Sequence, residues 1–88
     1  MSQAQELTDP IRAEVTRVWR MVLEQDREFD TGDDFFAIGG HSLLALRVVK
    51  ALSSRLGLDI SLEAPFECPT FGEFVAAVRS AVKTGAAT

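Results

Sequence analysis

The first two segments of this chain that repeat apolar residues at helical spacing are Ile11 to Leu23 and Ser42 to Leu56, and residues 25–41 between them have no helical period. A connection of that length is uncommon inside a small domain, and such loops often carry function. It opens on an acidic run, with Glu24, Asp26, Glu28, Asp30, Asp33 and Asp34 opposed only by Arg27. It closes on Phe35-Phe36-Ala37-Ile38-Gly39-Gly40-His41-Ser42-Leu43-Leu44. A chain built this way must drape the loop over whatever core its helices make and pin it there. Phe29, Phe35, Phe36 and Ile38 are the apolar residues available as pins.

The first helix is expected over 9–24. Asp9 is a favoured N-cap and Pro10 suits the first helical position. Ile11, Val15, Val18 and Val22 form its apolar face, with Trp19 and Leu23 on the flank. The second helix runs from Ser42 to Leu56 and stops at Gly57, a natural terminator. Its core stripe is Ala45, Val48, Val49, Leu52 and Leu56. At about 100° per residue, Leu43 points roughly 160° from the centre of that stripe, while Leu44 and Leu46 lie on its flanks. A short third helix capped by Ser61 is expected near Asp59–Phe66, made irregular by Pro65. The fourth begins with a capping box of Thr70 and Glu73, with Pro69 and Phe74 as its staple. Phe71, Phe74, Val75, Val78 and Val82 give it an apolar face. No strand pattern is present. The fold read from these elements is all-α, a small four-helix bundle with a long first loop.

With 88 residues, 47% of them apolar and 25% charged, the chain has enough for one modest core. A net charge of −4 and a pI near 4.8 argue against a nucleic-acid surface. The acidic run is read as a solvated loop or a surface that steers basic partners. No signal peptide or membrane span is evident. A lone Cys68 excludes an internal disulfide, fits a reducing compartment, and with a lone His41 argues against structural zinc. Cytoplasmic placement is therefore expected. Residues 1–8 and 84–88 are read as flexible ends around a domain at 9–83, and the short ends as those of a freestanding protein or an excised domain.

The block from Phe35 to Leu43 resembles the attachment motif of peptidyl carrier (thiolation) domains from nonribosomal peptide synthetases, members of the phosphopantetheine-binding acyl carrier superfamily. The resemblance extends from Ile11 to Val78. It continues through Val18-Trp19 and Val22-Leu23, Ala45 and Arg47, and Phe66-Glu67-Cys68-Pro69-Thr70, in the family's order and spacing. His41, where other acyl carriers typically have Asp, looks like the peptidyl type. Pro65 departs from the family, which usually has an apolar helix former there.

The resemblance implies an acyl-carrier-like bundle, no catalytic residues, and a 4'-phosphopantetheine arm on Ser42. Gly40 and His41 would lie beside the arm, with Gly39 and Gly40 leaving the serine open to approach. On residues alone, Ser42 reads equally as an ordinary N-cap. A serine hydrolase is the weaker alternative, because no strand precedes Ser42 and the second glycine of a nucleophile elbow is missing. Leu43, Leu46, Arg47 and Lys50 are the expected partner-facing residues, although Leu46 reads equally as packing against the loop. Phe35, Phe36 and Trp19 are read as packing, Cys68 as inert, and Asp33 and Asp34 as loop surface or local backbone acceptors. The implied partners are a phosphopantetheinyl transferase, an adenylating enzyme, and condensation, thioesterase or tailoring enzymes, all acting on a monomer. Two rival functions are a carrier of polyketide or aryl cargo and an unmodified helical adaptor.

Overall fold

A computed structural model of the protein describes residues 9–85. They form four helices: α1 (Pro10–Leu23), α2 (Ser42–Leu56), α3 (Ala64–Glu67) and α4 (Phe71–Gly85). The only β pairing among these residues is an isolated antiparallel bridge between Asp34 and Thr70. Helix α1 packs against α2 and α4, and α3 spans α2 and α4. The all-α bundle, the long first loop and the short third helix are as the sequence implies.

The cap of α1 reaches beyond its own helix. Asp9 Oδ1 accepts from the backbone N–H of Ile11 at 3.1 Å and of Arg12 at 3.3 Å. The same carboxylate receives both terminal nitrogens of Arg79 from α4, at 2.6 and 3.3 Å. That hydrogen-bonded pairing holds the Asp9 carboxyl below the usual carboxylate range and raises Arg79. Glu24 ends α1 in the left-handed region at φ 56°, and α2 ends at Gly57 with φ 66°. Arg55 Nε meets Glu14 Oε1 at 2.6 Å, tying α2 to α1 and lowering the Glu14 carboxyl.

The core is Val15 and Val18 from α1, Ala45, Val48, Val49 and Leu52 from α2, and Phe71, Phe74, Val75 and Val78 from α4. Leu56, placed in the α2 stripe from periodicity, is only half-buried at the end of the helix. Trp19 also departs from its expected place. It is the centre of the molecule rather than a flank of α1, at 1% exposure. Its ring meets Phe29, Phe35 and Phe71 edge-on at centroid distances of 5.3, 5.2 and 5.1 Å, with Phe74 at 6.3 Å. Such edge-to-face pairs each add roughly 0.5–1.5 kcal/mol beyond burial. The reason for the difference is that Phe29 and Phe35 of the loop and Phe71 and Phe74 of α4 together cover the flank of α1 and turn it into interior. Phe36 and Ile38 are half-buried pins.

The loop is also stitched to the start of α4. Phe35 N–H donates to Pro69 O at 2.8 Å, Phe71 N–H to Asp33 O at 2.8 Å, and Gly72 N–H to Thr31 O at 2.9 Å. Thr70 Oγ1 accepts from Glu73 N–H at 3.3 Å, the expected half of the capping box. Loop carbonyls thus satisfy first-turn donors that a helix cannot satisfy itself.

Helix α3 begins later than Ser61. Its N-cap is Glu63, while Ser61 Oγ accepts from Glu63 N–H at 3.1 Å and shapes the turn before the helix. Pro65 is buried in the first turn of α3, where its missing donor is tolerated. Helix α4 continues through Thr84 and Gly85, which the sequence reading gave to the tail. The expected flexible segment 1–8 and the rest of the tail lie outside the described residues.

Candidate functional site: the serine turn

The turn leading to Ser42 is built on Asp34. Its Oδ1 accepts from Phe36 N–H at 2.9 Å and Ala37 N–H at 3.1 Å. Its carbonyl accepts from Ala37 and Ile38 N–H at 3.0 and 3.1 Å. Asp34 is therefore a local backbone acceptor. So is Asp33, whose Oδ2 accepts from Asp30 N–H at 2.9 Å. Phe35 O then accepts from Gly40 N–H at 2.9 Å, closing the turn over the Phe35 ring.

The two glycines differ in role. Gly39 has φ 123°, a conformation that side-chain-bearing residues rarely adopt. A Cβ on Gly40 would lie 2.2 Å from Phe35 Cε2 and 2.7 Å from Phe35 O. The absence of a side chain at Gly40 lets the backbone close onto Phe35, so its inward face matters more than the open approach expected from sequence.

Ser42 is not the N-cap of α2. His41 is, in extended conformation at φ −151°, with no side-chain capping bond, and its carbonyl accepts from Ala45 N–H at 2.8 Å. Ser42 is the first helical residue, and both it and His41 are exposed. Its hydroxyl stands at the positive end of a 15-residue helix whose first turn contains no acidic residue. An anion attached there gains from the helix dipole and meets no carboxylate on that turn. The residues present therefore fit a phosphodiester on Ser42.

Leu43 is 57% exposed, and Arg47 and Lys50 are exposed on the same outer face of α2. Leu46 is half-buried instead, on the flank. Sequence reasoning missed three more apolar residues in solvent, Met21 at 57%, Leu62 at 52% and Phe66 at 45%. Phe66 stacks on Phe36 at 5.6 Å and 24°.

The chain matches the phosphopantetheine attachment site family over residues 13–78, most of its length. It belongs to that family. The carrier domain is 36% identical over 74 residues to Hybrid PKS-NRPS synthetase 1 of Dothistroma septosporum, covering 84% of this chain and 2% of that protein. It is 39% identical over 71 residues to tyrocidine synthase 3 of Brevibacillus parabrevis, covering 81% of this chain and 1% of that protein. The chain thus spans a small fraction of the curated relatives it matches. Among solved structures, PCP, a prototype for the peptidyl carrier domains of modular peptide synthetases, superposes with a TM-score of 0.65 at 28% identity, covering 78% of this chain and 90% of that one. The protein is a non-catalytic carrier domain of the nonribosomal peptide synthetase type, and its family's cofactor is phosphopantetheine. Among the described residues, no helix is long and apolar enough to cross a membrane.

Proposed function

We propose that the Ser42 hydroxyl receives a 4'-phosphopantetheine arm and that the domain carries an aminoacyl or peptidyl group in natural-product biosynthesis in the cytoplasm. The observation that carries this reading is the exposed hydroxyl at the first position of α2, beside an N-cap that makes no capping bond. The arm supplies a thiol that holds the cargo as a thioester. The chain's own residues do the rest. Ser42 provides the oxygen that forms the phosphodiester. The N-terminus of α2 stabilises the resulting negative charge. Gly40 and His41 lead into the attachment point, and His41 is exposed and makes no side-chain capping bond. A phosphopantetheinyl transferase would install the arm and an adenylating enzyme would load it. Condensation, thioesterase or tailoring enzymes would then take the cargo.

The peptidyl reading is preferred over polyketide or aryl cargo because His41 precedes the serine and the relatives include peptide synthetases. The test is intact mass after incubation with coenzyme A and a broad-specificity phosphopantetheinyl transferase, followed by peptide mapping. One phosphopantetheinyl unit on the peptide containing Ser42 is the expected result. A folded protein that gains no mass would instead favour an unmodified helical adaptor.

Leu43, Arg47 and Lys50 are proposed to meet these partners, with Leu46 buttressing the edge of the contact. Leu62 and Phe66 are further exposed apolar residues, before and within α3. Partners used in turn require small, transient interfaces, and exposed apolar patches commonly mark them. Leu43→Ala should leave thermal stability unchanged, because its side chain is in solvent, and raise KM for the carrier about tenfold with at least one partner. Unchanged steady-state kinetics with every partner would remove Leu43 from the interface.

A further inference from the structure

A polar relay runs from the acidic loop to the turn that presents Ser42. Beyond the left-handed Glu24, Gln25 N–H donates back to Arg20 O at 3.1 Å, which fixes the backbone at the foot of α1. Gln25 Nε2 then reaches across the loop and donates to Ile38 O at 2.6 Å. Its other end is committed too, since Oε1 accepts from Arg27 Nε at 3.0 Å. Arg27 is itself held by Asp33 Oδ2 at 3.3 Å, by Glu28 O at 3.0 Å, and over the Phe29 ring at 4.6 Å. Arg27 therefore decides which end of the carboxamide faces Ile38.

The carbonyl of Ile38 belongs to the peptide plane that joins it to Gly39. Gly39 has φ 123°, and glycine tolerates either sign of φ, so that plane has no side-chain barrier against turning over. On the other side, the turn is fixed by Phe35 through Pro69 O and Gly40 N–H. The Gln25 bond is what selects one orientation of the remaining free plane, four residues before the serine.

We propose that Gln25 is a positioning residue that sets the Ile38–Gly39 peptide plane and thereby the way Ser42 is offered to the modifying enzyme. The inference rests on Ser42 being the attachment residue. It is separable from docking, because Gln25 acts through the turn and not through Leu43, Arg47 or Lys50.

The decisive variant is Gln25→Glu. It keeps the length of the side chain and an acceptor for Arg27, but offers no N–H to Ile38 O. Gln25→Ala removes both bonds. With coenzyme A and a phosphopantetheinyl transferase, both variants should lose about tenfold in kcat, with KM for coenzyme A unchanged, since small misplacements of a reacting group cost rate more than binding. Amide hydrogen exchange at Gly39 and Gly40 should accelerate in both, while circular dichroism stays that of the wild type. A glutamate variant that loads at the wild-type rate overturns the proposal. So does a loss confined to KM for the carrier, which would make Gln25 a contact residue. Wild-type protein that never accepts the arm overturns the carrier reading, and this role with it.

Discussion

Gly40→Ala should reduce loading of Ser42 by roughly a hundredfold and destabilise the domain by about 1–3 kcal/mol. The added Cβ would lie 2.2 and 2.3 Å from Phe35 Cε2 and Cδ2 and 2.7 Å from Phe35 O, all inside van der Waals contact. Two relaxations are available. The Phe35 ring can shift, but it is wedged against Trp19 at 5.2 Å and Phe36 at 5.4 Å. Alternatively the backbone can lift, which breaks the Gly40 N–H to Phe35 O bond and moves the two residues that lead into Ser42. The second is the softer route, so the loss falls on presentation of the serine more than on folding. Initial loading rates by mass spectrometry and urea unfolding, measured together, check this. Full-rate loading by Gly40→Ala would mean the turn can be displaced without consequence. Phe35→Leu in the same chain should restore part of the rate, since it removes the ring carbons in the way.

Trp19→Ala should cost about 3–5 kcal/mol, the range for removing a large aromatic from a core. Small domains are marginal, typically toward the low end of about 5–15 kcal/mol, so much of the population should unfold at room temperature. The effect is large because Trp19 joins α1, α4 and the loop through Phe29, Phe35, Phe71 and Phe74. Its Nε1 is buried without a hydrogen-bond partner among the described residues, a penalty that the rest of the ring outweighs. Trp19→Phe, which removes that donor while keeping a ring, should be much milder. Urea titration followed by circular dichroism gives both values. A midpoint for Trp19→Ala within experimental error of the wild type would show that α1 and α2 alone hold the bundle.

The helices and their buried faces are legible in the sequence because periodicity is a local property. Val15 and Val18, Ala45 to Leu52, and Phe71 to Val78 occupy the places their spacing dictates. The loop pins are legible as well, since Phe29 and Phe35 have nowhere else to go in so acidic a stretch. Periodicity misjudges Trp19 because a helical wheel sees one helix at a time, and the cover over that flank comes from the loop and α4. Residue preference leaves the cap open at Ser42 because serine favours that position, whereas the chain gives the cap to extended His41 and starts the helix on the serine. The Arg79–Asp9 and Gln25–Ile38 contacts leave no trace in the sequence. The first pair joins the N-cap of α1 to α4 and the second the two ends of one loop, each through a polar side chain, and only the folded path of the loop and bundle brings the partners together.

The aromatic cluster also gives the domain an optical property. Trp19 is the chain's one tryptophan, and there is no tyrosine to compete with it. Its indole touches the Phe35 ring, and Phe35 is the residue over which Gly40 closes. Emission excited in the indole band therefore originates at a single side chain lodged beneath the serine turn and ringed by phenylalanines.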